Sequence, residues 1–198
     1  MIEEAVGAIR AGMPVILAVD TVYGLVTSPF TDGPVRRLNA LKRRDERQPS
    51  ALMAPNVDVL FELVPELRGQ PGDVCRAPLP GPYTLVLPNP ACRFRWLTGA
   101  KPDALGVRVP ILRGDSALIL DAVGAVVATS ANLHGGADPS TLDEVPQELR
   151  DAAAVVIDGG ELPGTPSTVL DFTGGEPRVL REGAADGAEA LVRVARSS

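Results

Sequence analysis

"VILAVDTVYGLVTSP" (residues 15–29) opens as an unbroken apolar run and then places Asp20, Thr21, Tyr23 and Gly24 within five positions. A short aliphatic run bounded by polar and glycine positions reads as a buried strand, here "PVILAV", ending at Asp20. A strand that ends in a carboxylate, a hydroxyl, a phenol and a glycine sets polar groups where strand ends meet loops. Open α/β sheets bind their ligands in such places. Before this strand, residues 2–11 read as an amphipathic helix. After it, "TDGPVRRLNALKRR" (31–44) has the signals of a helix start, with Thr31 or Asp32 as the cap and Pro34 in the first turn. Val35, Leu38 and Leu41 or Lys42 recur at helical spacing, and Lys42 and Arg44 fall at the C-terminal end.

The rest of the chain continues the mixture. "NVDVLFELVPELRG" (56–69) reads as a helix capped by Asn56, and a further helix spans Asp115 to Val123. "YTLVLP", "ALGVRVP", "AVVATS", "AAVVID", "STVLDF" and "RVLRE" read as strands. No repeat or long linker interrupts the order, so one mixed α/β domain accounts for it, with "ADGAEALVRVARSS" (185–198) as a short closing helix with a frayed end. Glycine and proline gather between elements, at "PLPGPYT", "NLHGGADPS", "DGGELPGTPS" and "TGGEP", where functional loops are built.

Composition narrows the function classes. At 198 residues the chain can build its own core, and 45% hydrophobic with 22% charged residues is ordinary for a globular protein. No stretch approaches the roughly 20 apolar residues of a membrane span. "MIEEAVGAIRAG" begins with acids rather than a basic leader, so a cytoplasmic protein is expected. Cys75 and Cys92 form no CxxC pair, and with His134 as the sole histidine a structural zinc site lacks ligands. A net charge of −6 argues against coating nucleic acid non-specifically but allows a local basic pocket.

No GxGxxG, GxxxxGK[ST], GxSxG or HExxH occurs, and a Ser/His/Asp triad would have to use His134 in a glycine-rich loop, where a solvated histidine is the plainer reading. What remains is hydroxyls, amides and cations at strand ends. Thr21 and Tyr23 follow one strand, Ser130 and Asn132 another, and Ser167 and Thr168 open a third. Arg108 and Arg181 lie on "GVRVP" and "RVLREG", and "LKRRDER" groups Lys42, Arg43, Arg44 and Arg47. Such a set suits an anionic ligand, arginine forks matching phosphate oxygens in pairs. The same cations also complement a helix C-terminus, and charge alone leaves both readings open.

Taken in order, "AVDTVYGL", "KRRDERQP", "PGPYTLVLP", "GVRVP", "TSANLHGG", "STVLDF" and "REG" resemble the motifs of the YrdC-like family, from about residue 2 to residue 183. The resemblance implies a twisted sheet of mixed parallel and antiparallel strands with flanking helices around a concave cavity, residues 1–185 forming the YrdC-like domain and 186–198 a C-terminal helix or frayed tail. It is similar to the short bacterial-type members, which make threonylcarbamoyl-adenylate and pyrophosphate from L-threonine, bicarbonate and ATP for tRNA modification. By position, Thr21, Arg108, Ser130 and Ser167 match threonine contacts. Lys42, Arg44, Asn132, Ser140 and Arg181 match nucleotide and phosphate contacts, Lys42 and Arg44 being the catalytic pair. Tyr23 and Thr168 line the cavity, and Gly24 lets the backbone turn beneath it. Magnesium would come with ATP, with no protein side chain as its ligand, and tRNA or the transferase proteins are the implied partners. The chain departs from the family pattern at Ala18-Val19, Gln48, Met53, Ala104, His134 and Glu182. The alternative is a non-catalytic RNA- or nucleotide-binding paralogue; a carbamoyl-transfer relative would bring zinc-finger-like or acyl-phosphatase segments that the sequence does not show.

Overall fold

The apolar run at residues 15–29 folds as a hairpin. β1 (Val15–Ala18) turns at Val19–Val22 and returns as β2 (Tyr23–Thr27), with Ala18 opposite Tyr23, so that Asp20 and Thr21 stand at the tip. The return strand is not separable from the first in the sequence, because every residue of both strands is buried and no polar alternation marks the pleat.

Residues 1–197 are described in this computed structural model, and among them β3 (Ala51–Met53), β4 (Tyr83–Pro88), β5 (Ala104–Arg108), β6 (Val126–Ser130), β7 (Val155–Val156), β8 (Thr168–Asp171) and β9 (Arg178–Arg181) complete one mixed sheet. Its order is β7-β1-β2-β6-β3-β5-β4-β8-β9. β1 with β7, β3 with β5, and β4 with β8 run parallel; the other neighbours run antiparallel.

Helices cover both faces, unequally. α1 (Ile2–Arg10) and α5 (Gly114–Val123) bring Ala5, Val6, Ile9, Ile119 and Leu120 onto Val15, Leu17, Val26 and Val126. On the other face α2 (Asp32–Leu41), α3 (Val57–Leu63), α4 (Gln70–Arg76), α6 (Gln147–Ala152) and α7 (Gly187–Ser197) close the larger core, built on Leu25, Leu52, Leu85, Leu105 and Val107. Each such fully buried side chain contributes about 1.5–3 kcal/mol. No helix among the described residues is long and apolar enough to cross a membrane.

Several boundaries differ from the sequence reading. Asn56 caps α3 as expected, its Oδ1 accepting from Val59 N at 2.9 Å. The helix stops at Leu63 rather than running to residue 69, because Pro65 offers no N–H to continue it; a 3-10 turn at Pro65–Leu67 leads into α4. In "AAVVID" only Val155 and Val156 pair, and β3 is too short to show a period. α7 buries Ala190 and Val194 among the described residues; Ser198, the end of the expected closing helix, lies outside them.

The two thiols fall in opposite environments. Cys75 is fully buried, which pushes its thiol up to about 12, whereas Cys92 is exposed. Folded protein at pH 8 should therefore titrate one thiol promptly with an aromatic disulfide reagent, and the second only after denaturant is added; two prompt equivalents would place Cys75 outside the core.

Candidate active site

The pleat that sends Leu52, Tyr83, Leu85, Leu105 and Val107 into the larger core sends their neighbours to the opposite face. α1 and α5 cover only part of that face. The uncovered part is the floor of a cavity of about 530 Å³, within the usual range of small-molecule sites. Gly24, Ala51, Ala104, Gly106 and Ala128 hollow the floor by being small. Gly24 does so under constraint, since a Cβ there would stand 2.8 Å from Val19 Cγ2; its backbone is ordinary strand, so it supplies room and not a turn.

Charge enters the wall at the end of β5. The guanidinium of Arg108 is buried, and its Nη2 donates to Asp20 Oδ1 and, at 2.8 Å, to Thr21 Oγ1. Asp20 Oδ2 accepts from Ile111 N at 3.3 Å, so the hairpin tip is tied to the segment following β5. Burial draws the Arg108 pKa down and Asp20 opposes that shift, yet an arginine stays protonated at any working pH. Arg108 Nε is buried without a protein acceptor, an unmade bond at a cavity wall.

Hydroxyls face it from neighbouring strands. Ser167 Oγ lies 2.9 Å from Thr84 Oγ1, and Arg181 reaches Ser167, donating to its carbonyl at 2.7 Å. Ser130 Oγ donates to Asn132 Oδ1 at 2.6 Å. Arg44 leans in from the loop after α2, with Nε on Gln48 Oε1 (3.0 Å), Nη1 on Ser50 Oγ (2.9 Å) and Nη2 on the Pro49 carbonyl. Burial lowers its pKa also.

Of the residues proposed from sequence, Arg44, Arg108, Ser130, Ser167 and Arg181 line this one cavity. Thr21 acts from behind, through Arg108. Tyr23 and Thr168 do not line it, which corrects their expected place. Both sit one residue out of phase with the cavity face, and a strand sends successive side chains to opposite sides. Tyr23 OH donates to Asp158 Oδ1 at 2.7 Å and accepts from Gly159 N at 3.0 Å; Thr168 Oγ1 donates to the Ala185 carbonyl.

Lys42 does not line the cavity either. It caps the end of α2 with a buried ammonium whose Nζ donates to the Ser130 carbonyl, the Asn132 carbonyl (2.7 Å) and Asn132 Oδ1 (3.0 Å). All three protons are engaged within the protein, and burial, with Arg44 nearby, lowers its pKa to about 8. Its role in this structure is to hold the loop after β6. Asn132 Nδ2 extends that network to the Gly136 carbonyl at 2.6 Å, so Asn132 too is a member of the loop and not of the wall. Ser140 lies outside the cavity, its N–H and Oγ both donating to Glu144 and holding that carboxyl below the usual range.

Sequence reasoning missed part of the wall. Thr84 stood within "PGPYT" with an alternation that could have found it; Asp171, Thr173 and Arg178 needed the β8–β9 pairing. Burial would raise the Asp171 carboxyl, but bonds from Thr173 and Arg178 outweigh it and hold the pKa low. Arg47 and Lys101 also line the mouth. Among the departures from the family pattern, Val19, Met53 and Ala104 are all wall residues, Gln48 accepts from Arg44, and Glu182 Oε2 accepts from Gly187 N at 3.1 Å, at the start of α7.

Comparison with known proteins identifies the family. The Sua5/YciO/YrdC family model, described as telomere recombination, matches residues 7–183. The chain is 32% identical to the threonylcarbamoyl-AMP synthase of Pyrococcus abyssi over 183 residues, 92% of this chain and 54% of that protein. It is 33% identical to the threonylcarbamoyl-AMP synthase of Pseudomonas putida over 190 residues, 92% of this chain and 97% of that one. The structure of P. abyssi Sua5 complexed with L-threonine superimposes with a TM-score of 0.83 at 31% identity, over 97% of this chain and 56% of that one. Escherichia coli YciO superimposes with a TM-score of 0.75 at 26% identity, over 93% of this chain and 90% of that one. The chain thus spans about half the length of the Pyrococcus protein and nearly all of the Pseudomonas protein. With seven motifs in register, the same mixed sheet and a model match from residue 7 to residue 183, this chain belongs to the Sua5/YciO/YrdC family.

Proposed function

We propose that this protein is a threonylcarbamoyl-AMP synthase, a nucleotidyltransferase that joins L-threonine, bicarbonate and ATP and releases pyrophosphate. The observation that carries the reading is the company kept by Arg108 in one cavity: a buried guanidinium with an unpartnered Nε, and across the wall a Ser167–Thr84 hydroxyl pair under Arg181. A buried donor without an acceptor is costly and fits a ligand carboxylate, as an amino acid provides. The two similar synthases and the threonine-bound structure point the same way.

The chemistry needs no protein nucleophile. Threonine's ammonium and bicarbonate give the carbamate, water and a proton. A carbamate oxygen then bonds to the α-phosphorus of ATP, the bond from that phosphorus to the bridging oxygen breaks, and pyrophosphate leaves with the electron pair. The protein's part is orientation and charge: Arg108 and Ser167 for the amino acid, Arg44 and Arg181 for the phosphates, and Ser130 held in place by the Lys42 network. The magnesium of this reading travels with the triphosphate. Its ligands would be phosphate oxygens and water. The product would pass to tRNA-modifying transferases in the cytoplasm. An RNA cradle would use the cations but has no use for buried hydroxyls and an enclosed guanidinium, and that favours the enzyme over a non-catalytic paralogue.

The deciding test is pyrophosphate release from purified protein with ATP and magnesium. Release that requires both L-threonine and bicarbonate is expected; release that ignores either substrate, or none at all, refutes the synthase. Ser167→Ala should raise the KM for threonine about tenfold while leaving that for ATP within about twofold. Gly106→Val tests the floor. A Cβ there meets nothing closer than 3.7 Å, and the γ-methyls would extend from the floor of the cavity on a β-branched residue suited to a strand, so the variant should fold with stability changed by less than about 1 kcal/mol yet lose turnover by narrowing the site. Full activity in that variant would move the substrates off the floor.

A further inference from the structure

Six cations line the cavity, and four of them have protein partners. Arg44 is engaged by Gln48, Pro49 and Ser50, Arg108 by Asp20 and Thr21, Arg178 by Asp171, and Arg181 by the Ser167 carbonyl. The remaining two, Arg47 and Lys101, are exposed, and among the described residues their side chains make no hydrogen bond or ion pair. Only their backbones are tied, Arg47 N to Asp45 Oδ1 and Lys101 N to the Thr98 carbonyl.

Their proximity is built. Arg47 sits in the loop after α2 and Lys101 in the loop before β5, far apart in sequence. Ala100 N donates to the Arg47 carbonyl at 3.0 Å, and Ser50 N donates to the Leu97 carbonyl at 2.8 Å. Gly99, at φ +61°, permits the approach; a Cβ there would stand 2.2 Å from the Arg47 carbonyl oxygen. Two loops stitched backbone to backbone thus carry two unneutralised cations on the same rim of the cavity.

We propose that Arg47 and Lys101 form a second anion subsite, at the mouth, for the diphosphate group that becomes the leaving pyrophosphate. This rests on the reading of the cavity as an ATP-dependent synthase. Arg44, three residues before Arg47 on the same loop, is half-buried and Arg108 is buried, while the exposed Arg178 and Arg181 are already engaged by protein groups, so the reacting α-phosphate is placed inside and the diphosphate end at the rim that carries the free cations. When the bond from the α-phosphorus to the bridging oxygen breaks, the departing electron pair adds negative charge to the diphosphate. Two cations with no other partner and open access to water neutralise that charge and let the product go, since an exposed pair binds less tightly than a buried one.

The test is the double variant Arg47→Ala/Lys101→Ala, compared with the charge-conserving Arg47→Lys/Lys101→Arg. The alanine pair should weaken product inhibition by pyrophosphate about tenfold, with the KM for threonine unchanged and the difference shrinking in 0.5 M salt, roughly the sum of two exposed charge contacts. The charge-conserving pair should behave as wild type. Equal inhibition constants in wild type and the alanine pair would overturn the subsite. Calorimetric binding of inorganic pyrophosphate with magnesium separates this from the parent reading. If wild type binds pyrophosphate about tenfold tighter than the alanine pair but catalyses no release, the synthase falls, and with it the leaving-group role, while the anion subsite itself stands. If wild type turns over and both proteins bind pyrophosphate alike, the synthase stands and the subsite falls. Because neither side chain has a partner to lose, unfolding temperature should match wild type.

Discussion

One sheet serves two environments, and the strict alternation of its side chains is the constraint on which the site depends. Along β3, β4 and β5 the large residues Leu52, Tyr83, Leu85, Leu105 and Val107 are committed to the core. Their neighbours are released from packing and can be chosen for a ligand, which is why Gly106, Ala104 and Ala51 can be small and Thr84 and Arg108 polar. A slip of one residue in any of these registers would bury Arg108 in the core and bring Val107 into the cavity. The many apolar contacts on the core face therefore fix the position of the few polar groups on the other.

Charge is held at the edge of this floor by two buried networks of different kinds. Asp20 and Arg108 form an ion pair with side chains only 9% and 11% exposed, joining the β1–β2 tip to the end of β5. Replacing such pairs by apolar residues is often neutral or stabilising, so its presence argues for a purpose other than stability. Here it fixes which edge of the guanidinium remains free. Lys42 presents the other kind, an ammonium surrounded by carbonyls that gives the loop after β6 a single conformation. Neither group need touch a substrate to matter for where Arg108 and Ser130 point.

The wall residues that differ from the family pattern are spread along the cavity, Met53 lying opposite Arg108 and Ala104 at the other end of β5. Val19, Met53 and Ala104 come from three separate parts of the chain and meet at one cavity, and Val19 also packs against Gly24. They add apolar surface beside the polar groups of the wall: Met53 pairs with Arg108, and Gly24, against which Val19 packs, pairs with Ser130. The acid at Glu182 is likewise turned to Gly187 at the start of α7.

The sequence alone determined the class of the fold, most of its strands, the cap at Asn56 and five of the residues that line the cavity, because strand runs, turn residues and ordered motifs are local signals. It placed Tyr23 and Thr168 in the wall. Tertiary structure decided otherwise, since the face to which a strand residue points depends on pairing and on which face the helices cover. It alone joined Asp20 to Arg108, Thr84 to Ser167, and the loops that carry Arg47 and Lys101. These contacts span from 47 to 88 residues of chain, and no local pattern encodes them: they follow from the order of strands in the sheet, which is set by the sum of all its packing.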